Sequence, residues 1–320
     1  MSYIGHDEAW ADWRRALSGD RMHHGWILSG RKGVGKSAFA LAAARELVAE
    51  EGIPQPEGNH PDIRYVSHPP KNETEARKRD EDKPFELARN IKVDQIRELQ
   101  RRLTTRPTLG SRRAVIIDPA DDMETSAANA LLKSLEEPPA GTYFMLIAHR
   151  MGRLLPTIRS RCRVLNFPRV SDEDMDAILA RESPQASTDM REAAIAAASG
   201  SPGAAIDFVE LDLGKIHTLM RQVVDQGDPD FALRGRLAGA MGARPSREKQ
   251  LAAIELARAV VADRMRGVVP GDIPAMVETH GALVRLAGQA PTYNFDPGLL
   301  VMEIGTLLAN LAGSRTPANG

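Results

Sequence analysis

Residues 30–37 read Gly-Arg-Lys-Gly-Val-Gly-Lys-Ser, a complete G-x-x-x-x-G-K-S phosphate-binding loop. The apolar run Trp26-Ile27-Leu28 before it predicts a short strand, and Ser37 to Val48 after it predicts an alanine-rich helix. The chemistry needs that strand–loop–helix order. Glycines at 30, 33 and 35 let the backbone curl so that its N–H groups converge, and the helix adds the positive end of its dipole at the same point. Gly30, Gly33, Val34, Gly35, Lys36 and Ser37 are the candidate nucleotide-binding residues. In such a loop the lysine reaches the β- and γ-phosphates and the serine hydroxyl ligates Mg²⁺. Binding a nucleoside triphosphate is distinct from hydrolysing it, and the remaining sequence bears on that difference.

A triphosphate site also needs an acid at the end of a neighbouring strand. Ala114-Val115-Ile116-Ile117 predicts such a strand, and Asp118 closes it, making Asp118 the second expected contributor to the Mg²⁺ shell. Further strands are expected at 63–66, 143–147 and 163–167. Helices are expected at 8–17, at 93–103 (Val93, Ile96, Leu99 and Leu103 recur at helical spacing) and at 125–136, stopped by Pro138-Pro139. Continuous apolar strands alternating with helices predict an α/β fold with a parallel sheet buried on both faces. Residues 67–90 are charged and lack an apolar period, which predicts a solvated loop or mobile insertion.

From Ser171 no strand pattern remains. Ser171-Asp172-Glu173-Asp174 is a helix start, and further helices are expected at 188–199, 202–209, 215–226, 231–241, 246–266, 274–288 and 297–312. The tail after Gly313 is expected to fray.

Composition narrows the field by exclusion. The chain has 320 residues, 42% hydrophobic and 27% charged, with a net charge of −1, so any nucleic-acid contact must come from a local patch. The stretch 89–113 is such a patch, with Lys92, Arg97, Arg101, Arg102, Arg106, Arg112 and Arg113 against Asp94 and Glu98. A solvated helix face is the more common explanation. No apolar run approaches the roughly 18 residues that span a bilayer, and the first residues lack the form of a secretory signal. The expectation is a cytoplasmic protein with no membrane partner. One cysteine, Cys162, excludes an internal disulfide and a cysteine-based zinc module, so no zinc site is expected. The adjacent His23 and His24 are expected to pack or bond to backbone.

The order of phosphate loop, Asp-ended strand, then Ala127-Ala128-Asn129-Ala130-Leu131-Leu132-Lys133-Ser134-Leu135-Glu136-Glu137-Pro138-Pro139, then Leu154-Leu155-Pro156-Thr157-Ile158-Arg159-Ser160-Arg161-Cys162, resembles the AAA+ clamp-loader family. More narrowly it resembles the delta-prime branch found in bacterial DNA polymerase III. The resemblance covers about residues 1–210. It implies a RecA-like AAA+ nucleotide-binding domain over 1–168, a small helical lid over 169–212 and an all-α oligomerisation domain over 213–320. It also implies a heteropentamer with gamma/tau and delta subunits that loads a sliding clamp onto primer-template DNA. By position, Arg161 of Ser-Arg-Cys is the candidate arginine finger, acting in trans on a neighbouring subunit's ATP.

Three departures from the hydrolysing pattern follow. The glutamate that polarises water after the strand-end aspartate is replaced by Pro119, which carries no base. The polar sensing residue after the next strand is replaced by Ala148-His149, and the lid arginine by Gly203 in Gly200-Ser201-Pro202-Gly203. The expectation is a subunit that binds ATP and Mg²⁺ without turning ATP over. The rival readings are a gamma/tau-type motor subunit and, from another class, a P-loop kinase or nucleotide-dependent metabolic enzyme.

Overall fold

The computed structural model describes residues 4–19, 21–265, 270–290 and 295–312. The chain divides into two compact units, 1–170 and 171–320. The expected frayed tail lies outside the described residues, as does the predicted end of the 246–266 helix.

The first unit is a five-stranded, wholly parallel sheet. Its strands are β1 (Gly25–Ser29), β2 (Ile63–Val66), β3 (Arg113–Ile117), β4 (Thr142–Ala148) and β5 (Arg163–Asn166), in the spatial order β2-β3-β4-β1-β5. Successive strand residues serve opposite faces, as a period of two requires. Trp26, Leu28, Ala114, Ile116, Met145 and Ile147 pack with Trp10 and Trp13 of α1 (Asp7–Leu17) and Phe39 and Leu47 of α2 (Lys36–Val48). Ile27, Val115, Ile117, Phe144 and Leu146 face the other way, onto Ile96 and Leu99 of α4 (Val93–Leu103) and Leu131 and Leu135 of α5 (Thr125–Glu136). Burial on both faces is why these strands read as unbroken apolar runs.

The excursion at 67–90 corrects the sequence expectation. It carries a helix, α3 (Glu73–Asp80), although the segment has no apolar stripe. Polar bonds hold it instead. Asn72 Oδ1 accepts from Glu75 N at 2.9 Å, capping the helix, and Glu75 Oε2 accepts from Glu86 N at 2.7 Å. Lys71 adds an ion pair to Glu86 at 2.7 Å.

The basic stretch is largely engaged within the chain. Glu98 pairs with both Arg101 (2.6 Å) and Arg102 (2.8 Å), and Arg97 pairs with Asp94 at 3.3 Å. Arg113 is buried at the start of β3, where its guanidinium donates to the Arg102 and Thr105 carbonyls.

After a short helix α6 (Pro156–Arg159), the second unit holds α7 (Asp172–Glu182), α8 (Thr188–Ala198), α9 (Pro202–Glu210), α10 (Gly214–Gln226), α11 (Ala232–Met241), α12 (Arg247–Arg264), α13 (Ile273–Gln289) and α14 (Pro297–Ala309). Serine starts four of them. Ser171, Ser187, Ser201 and Ser246 each accept from the backbone N–H three residues on, satisfying a donor the helix cannot.

Candidate nucleotide-binding site

The loop between β1 and α2 has the shape its glycines require. Gly33 and Gly35 lie in the left-handed region, at φ 81° and 99°. At Gly30 the constraint is space, because a Cβ there would sit 2.4 Å from the Phe167 carbonyl oxygen. Val34 is buried in the core beside α1 and α2, and its carbonyl accepts from the His6 ring at 2.7 Å. The loop is therefore anchored to the core through Val34 and closed against Phe167 at Gly30.

Lys36 opens α2 and is buried. Its ammonium donates to the Gly30 and Arg31 carbonyls, both at 2.6 Å. Burial pushes its pKa down to about 8, against the pull of Asp118 and Asp121. Next to it, Ser37 Oγ donates to Asp118 Oδ2 at 2.5 Å. The Tyr65 hydroxyl donates to the same oxygen. Burial and the bond to Asp118 push the Tyr65 phenol above its ordinary value.

The strand ends bring these groups together. Asp118 follows β3, and its N–H donates to the Val66 carbonyl at 2.9 Å, extending the sheet ladder by one step. Asp121 and Asp122 are bonded to the segment after β4. Asp121 accepts from the backbone N–H of His149 (2.8 Å) and Arg150 (3.1 Å), and Asp122 pairs with Arg150 and Arg153, both at 3.2 Å. They brace the loop after β4. His149, held there, has a buried Nδ1 with no hydrogen-bond partner, and burial together with Lys36 pushes its pKa down.

Gly30, Gly33, Val34, Gly35, Lys36, Ser37 and Asp118, the residues singled out in the sequence, lie together where α2 opens beside the end of β3. Tyr65, which meets Asp118, and His149, whose Nδ1 has no hydrogen-bond partner, carry no local sequence signal for these positions. Arg161 stands elsewhere, between α6 and β5, where it pairs with Glu136 at 2.7 Å and donates to the Thr157 carbonyl at 2.9 Å. His23 and His24 bond to the carbonyls of Gly25 and Leu135.

The donor set suits a hard cation. Ser37 and Asp118 offer oxygen only, in close contact, and Mg²⁺ in phosphate sites takes one or two protein oxygens and completes its shell with water and substrate phosphate. Among the described residues, no cluster of three or more His, Cys, Asp or Glu could hold a metal by itself.

A parallel sheet in this order, with the phosphate loop after β1 and the acid after β3, is the fold of an AAA+ P-loop domain. The chain belongs to the family described as "DNA polymerase III, delta subunit", which matches residues 5–171. It is 35% identical to the DNA polymerase III subunit delta' of Pseudomonas aeruginosa over 207 residues, covering 59% of this chain and 58% of that protein. It is 32% identical to the delta' subunit of Escherichia coli over 208 residues, covering 60% and 56%. The chain thus spans less than two thirds of the length of these relatives. A solved gamma subunit-related protein of DNA polymerase III from Thermotoga maritima shares the fold, with a TM-score of 0.54 and 18% identity over 96% of this chain and 100% of that one.

Among the described residues no helix is long and apolar enough to cross a membrane.

Proposed function

We propose that this chain is a delta-prime-type subunit of a bacterial clamp loader, which binds ATP with Mg²⁺ and does not hydrolyse it. One observation carries the reading: an intact cradle of Lys36, Ser37 and Asp118 is followed directly by Pro119. Proline supplies neither a base nor a donor to an attacking water. The nearest acids, Asp121 and Asp122, hold the loop after β4 and are not free to act. Ser37 and Asp118 would hold Mg²⁺, which would supply charge neutralisation at the nucleotide phosphates. The chain's own contribution is to bind and orient. Backbone N–H groups of residues 33–36 cradle the phosphates, Lys36 leaves its loop carbonyls for a phosphate oxygen, and buried Val34 fixes the loop.

Arg161 acts on a neighbour. Its place outside its own phosphate site supports a role in trans, on ATP held by an adjacent gamma/tau-type subunit. An arginine supplied this way is worth on the order of 10³–10⁵ in rate at the site it serves. The remaining partners are delta, the sliding clamp and primer-template DNA, met as part of a cytoplasmic heteropentamer. We assign residues 169–212 to the lid and 213–320 to the assembly module, so that all but residues 169 and 170 of these two parts fall in the second unit. The three missing catalytic elements weigh against a motor subunit, and the all-helical second unit weighs against a kinase.

Calorimetry on the purified chain tests the reading. It is expected to bind Mg-ATP, to lose binding in Lys36→Ala, and to show no steady-state turnover. Turnover near ~1 s⁻¹, the low end of typical enzymes, that disappears in Asp118→Ala would overturn it.

A further inference from the structure

One oxygen of Asp118 receives two hydroxyl groups from two different elements. Ser37 reaches Oδ2 from the first turn of α2, at 2.5 Å, and Tyr65 reaches the same atom from β2. Tyr65 lies opposite Ile116 in the β2–β3 ladder, two residues before Asp118 in the register of β3. The backbone of β2 holds Asp118 as well, through Val66. Strand β2 therefore fixes both the main chain and the carboxylate of the acid.

A carboxylate offers about four lone-pair sites, two on each oxygen. With Oδ2 engaged by both hydroxyls, Oδ1 is the oxygen that would accept a hydrogen bond from a water on bound Mg²⁺. Mg²⁺ demands near-ideal octahedral geometry and keeps several waters, so the angle at which Asp118 presents that oxygen matters. Ser37 would also have to ligate a bound Mg²⁺ through its oxygen, so it would not set the angle alone. We infer that Tyr65 is a positioning residue for the Mg²⁺ corner, clamping Asp118 Oδ2 so that the acid meets the metal's water shell in one orientation. This rests on the reading of the loop as a Mg-nucleotide site. Packing gives Tyr65 little other purpose there, since its side of β2 leaves it 44% exposed.

The test compares ATP binding to the full chain in excess Mg²⁺ and in EDTA, by calorimetry. Partners that orient a metal ligand typically contribute 10- to 100-fold in metal affinity. Tyr65→Phe is expected to weaken ATP binding about 10- to 100-fold in Mg²⁺ and to leave binding in EDTA unchanged. In an Asp118→Asn background the same substitution is expected to add nothing, because the clamped group is altered. Equal affinities for Tyr65→Phe and the unaltered chain in Mg²⁺ would overturn the inference. So would an equal loss in Mg²⁺ and EDTA, which marks simple structural damage. Failure of the unaltered chain to bind ATP in either condition would instead remove the nucleotide reading, and this inference with it.

Discussion

Arg161 Nη2 lies 2.7 Å from Glu136 Oε1, so the candidate finger of one motif is held by the last residue of α5, within the other motif that marks the family. Both side chains are substantially exposed, at 36% and 48%. An ion pair of that kind is worth about 0.2–1 kcal/mol, little against what an arginine gains beside a triphosphate. The pair parks the guanidinium and releases it cheaply. In a reconstituted complex, Arg161→Ala is expected to lower DNA-stimulated ATPase while Glu136→Gln leaves it at or above the unaltered rate. Full ATPase in Arg161→Ala would exclude the trans role.

At Gly30 the phosphate loop leaves no room for a side chain beside the Phe167 carbonyl. A methyl group at Gly30 would lie 2.4 Å from that oxygen, and backbone, unlike a flexible side chain, cannot swing aside. Gly30→Ala must displace either the loop or the segment after β5. The expected result is lost ATP binding with a lowered melting temperature, whereas Gly58→Ala, where a Cβ meets nothing within 4 Å, changes neither. Calorimetry and thermal melts of both variants decide it.

Cys162 follows Arg161 and packs behind it, against Gly25 and the α5 side of the sheet. Burial pushes its thiol up to about 12 from an ordinary 9.0. The unfolded chain therefore releases this proton before the folded chain does. The stability this supplies is intact below pH 9 and lost as pH rises toward 12, at up to ~1.4 kcal/mol per pH unit. As the single cysteine, it gives an unambiguous signal. A thiol reagent at pH 8 is expected to react slowly with the folded chain and quickly in denaturant, and Cys162→Ala should flatten the fall in melting temperature above pH 9. Equal reaction rates in both states would show the thiol to be accessible.

How far the sequence could be read follows from what each element depends on. Strands β1, β3 and β4 carry unbroken apolar runs because both faces are covered, and the phosphate loop needs its residues in fixed local order, so both were legible. Helix α3 was not, because a polar cap at Asn72 and the bonds of Glu75 hold it, and these leave no periodic trace. Tyr65 was missed for a different reason. It meets Asp118 only because β2 lies beside β3, and neighbours in a parallel sheet are not adjacent in sequence.

In the second unit, Arg234 is buried and paired with Asp228 at 2.8 Å. Asp228 also accepts from the N–H groups of Leu233 and Arg234, both at 2.9 Å, so it starts α11 as well as neutralising it. The arginine crosses α14 at Gly305, where a Cβ would meet its side chain at 2.5 Å. Removing one partner leaves a buried charge uncompensated, at a cost of about 3–5 kcal/mol. Asp228→Ala is expected to lower the denaturant midpoint by that equivalent, and more than Arg234→Met, which replaces the charge with an apolar chain. The opposite ranking would mean that the pair is not what holds α11 to α14.

The assembly surface can be probed without cutting the chain. Truncation after Asp212 would separate Phe208 from His217, whose rings meet edge to face at 5.7 Å, and so would disturb packing as well as assembly. Helix α13 offers a cleaner probe. Met276, Thr279, Leu283 and Leu286 form its buried face, while Ile273, Val277 and Val284 are exposed, at 44%, 57% and 43%. At about 100° per residue these three fall within roughly 40° of arc, a line of exposed apolar side chains, with His280 between Val277 and Val284, that the core of the described residues does not use. Interface centres are apolar in this way. Val277→Glu with Val284→Glu is expected to leave the melting temperature nearly unchanged, since surface substitutions are usually within about 0.5 kcal/mol each. The double variant should nonetheless fail to join gamma/tau and delta subunits during size-exclusion chromatography. Stoichiometric co-elution of a correctly folded double variant would place the assembly contact on another face of the second unit.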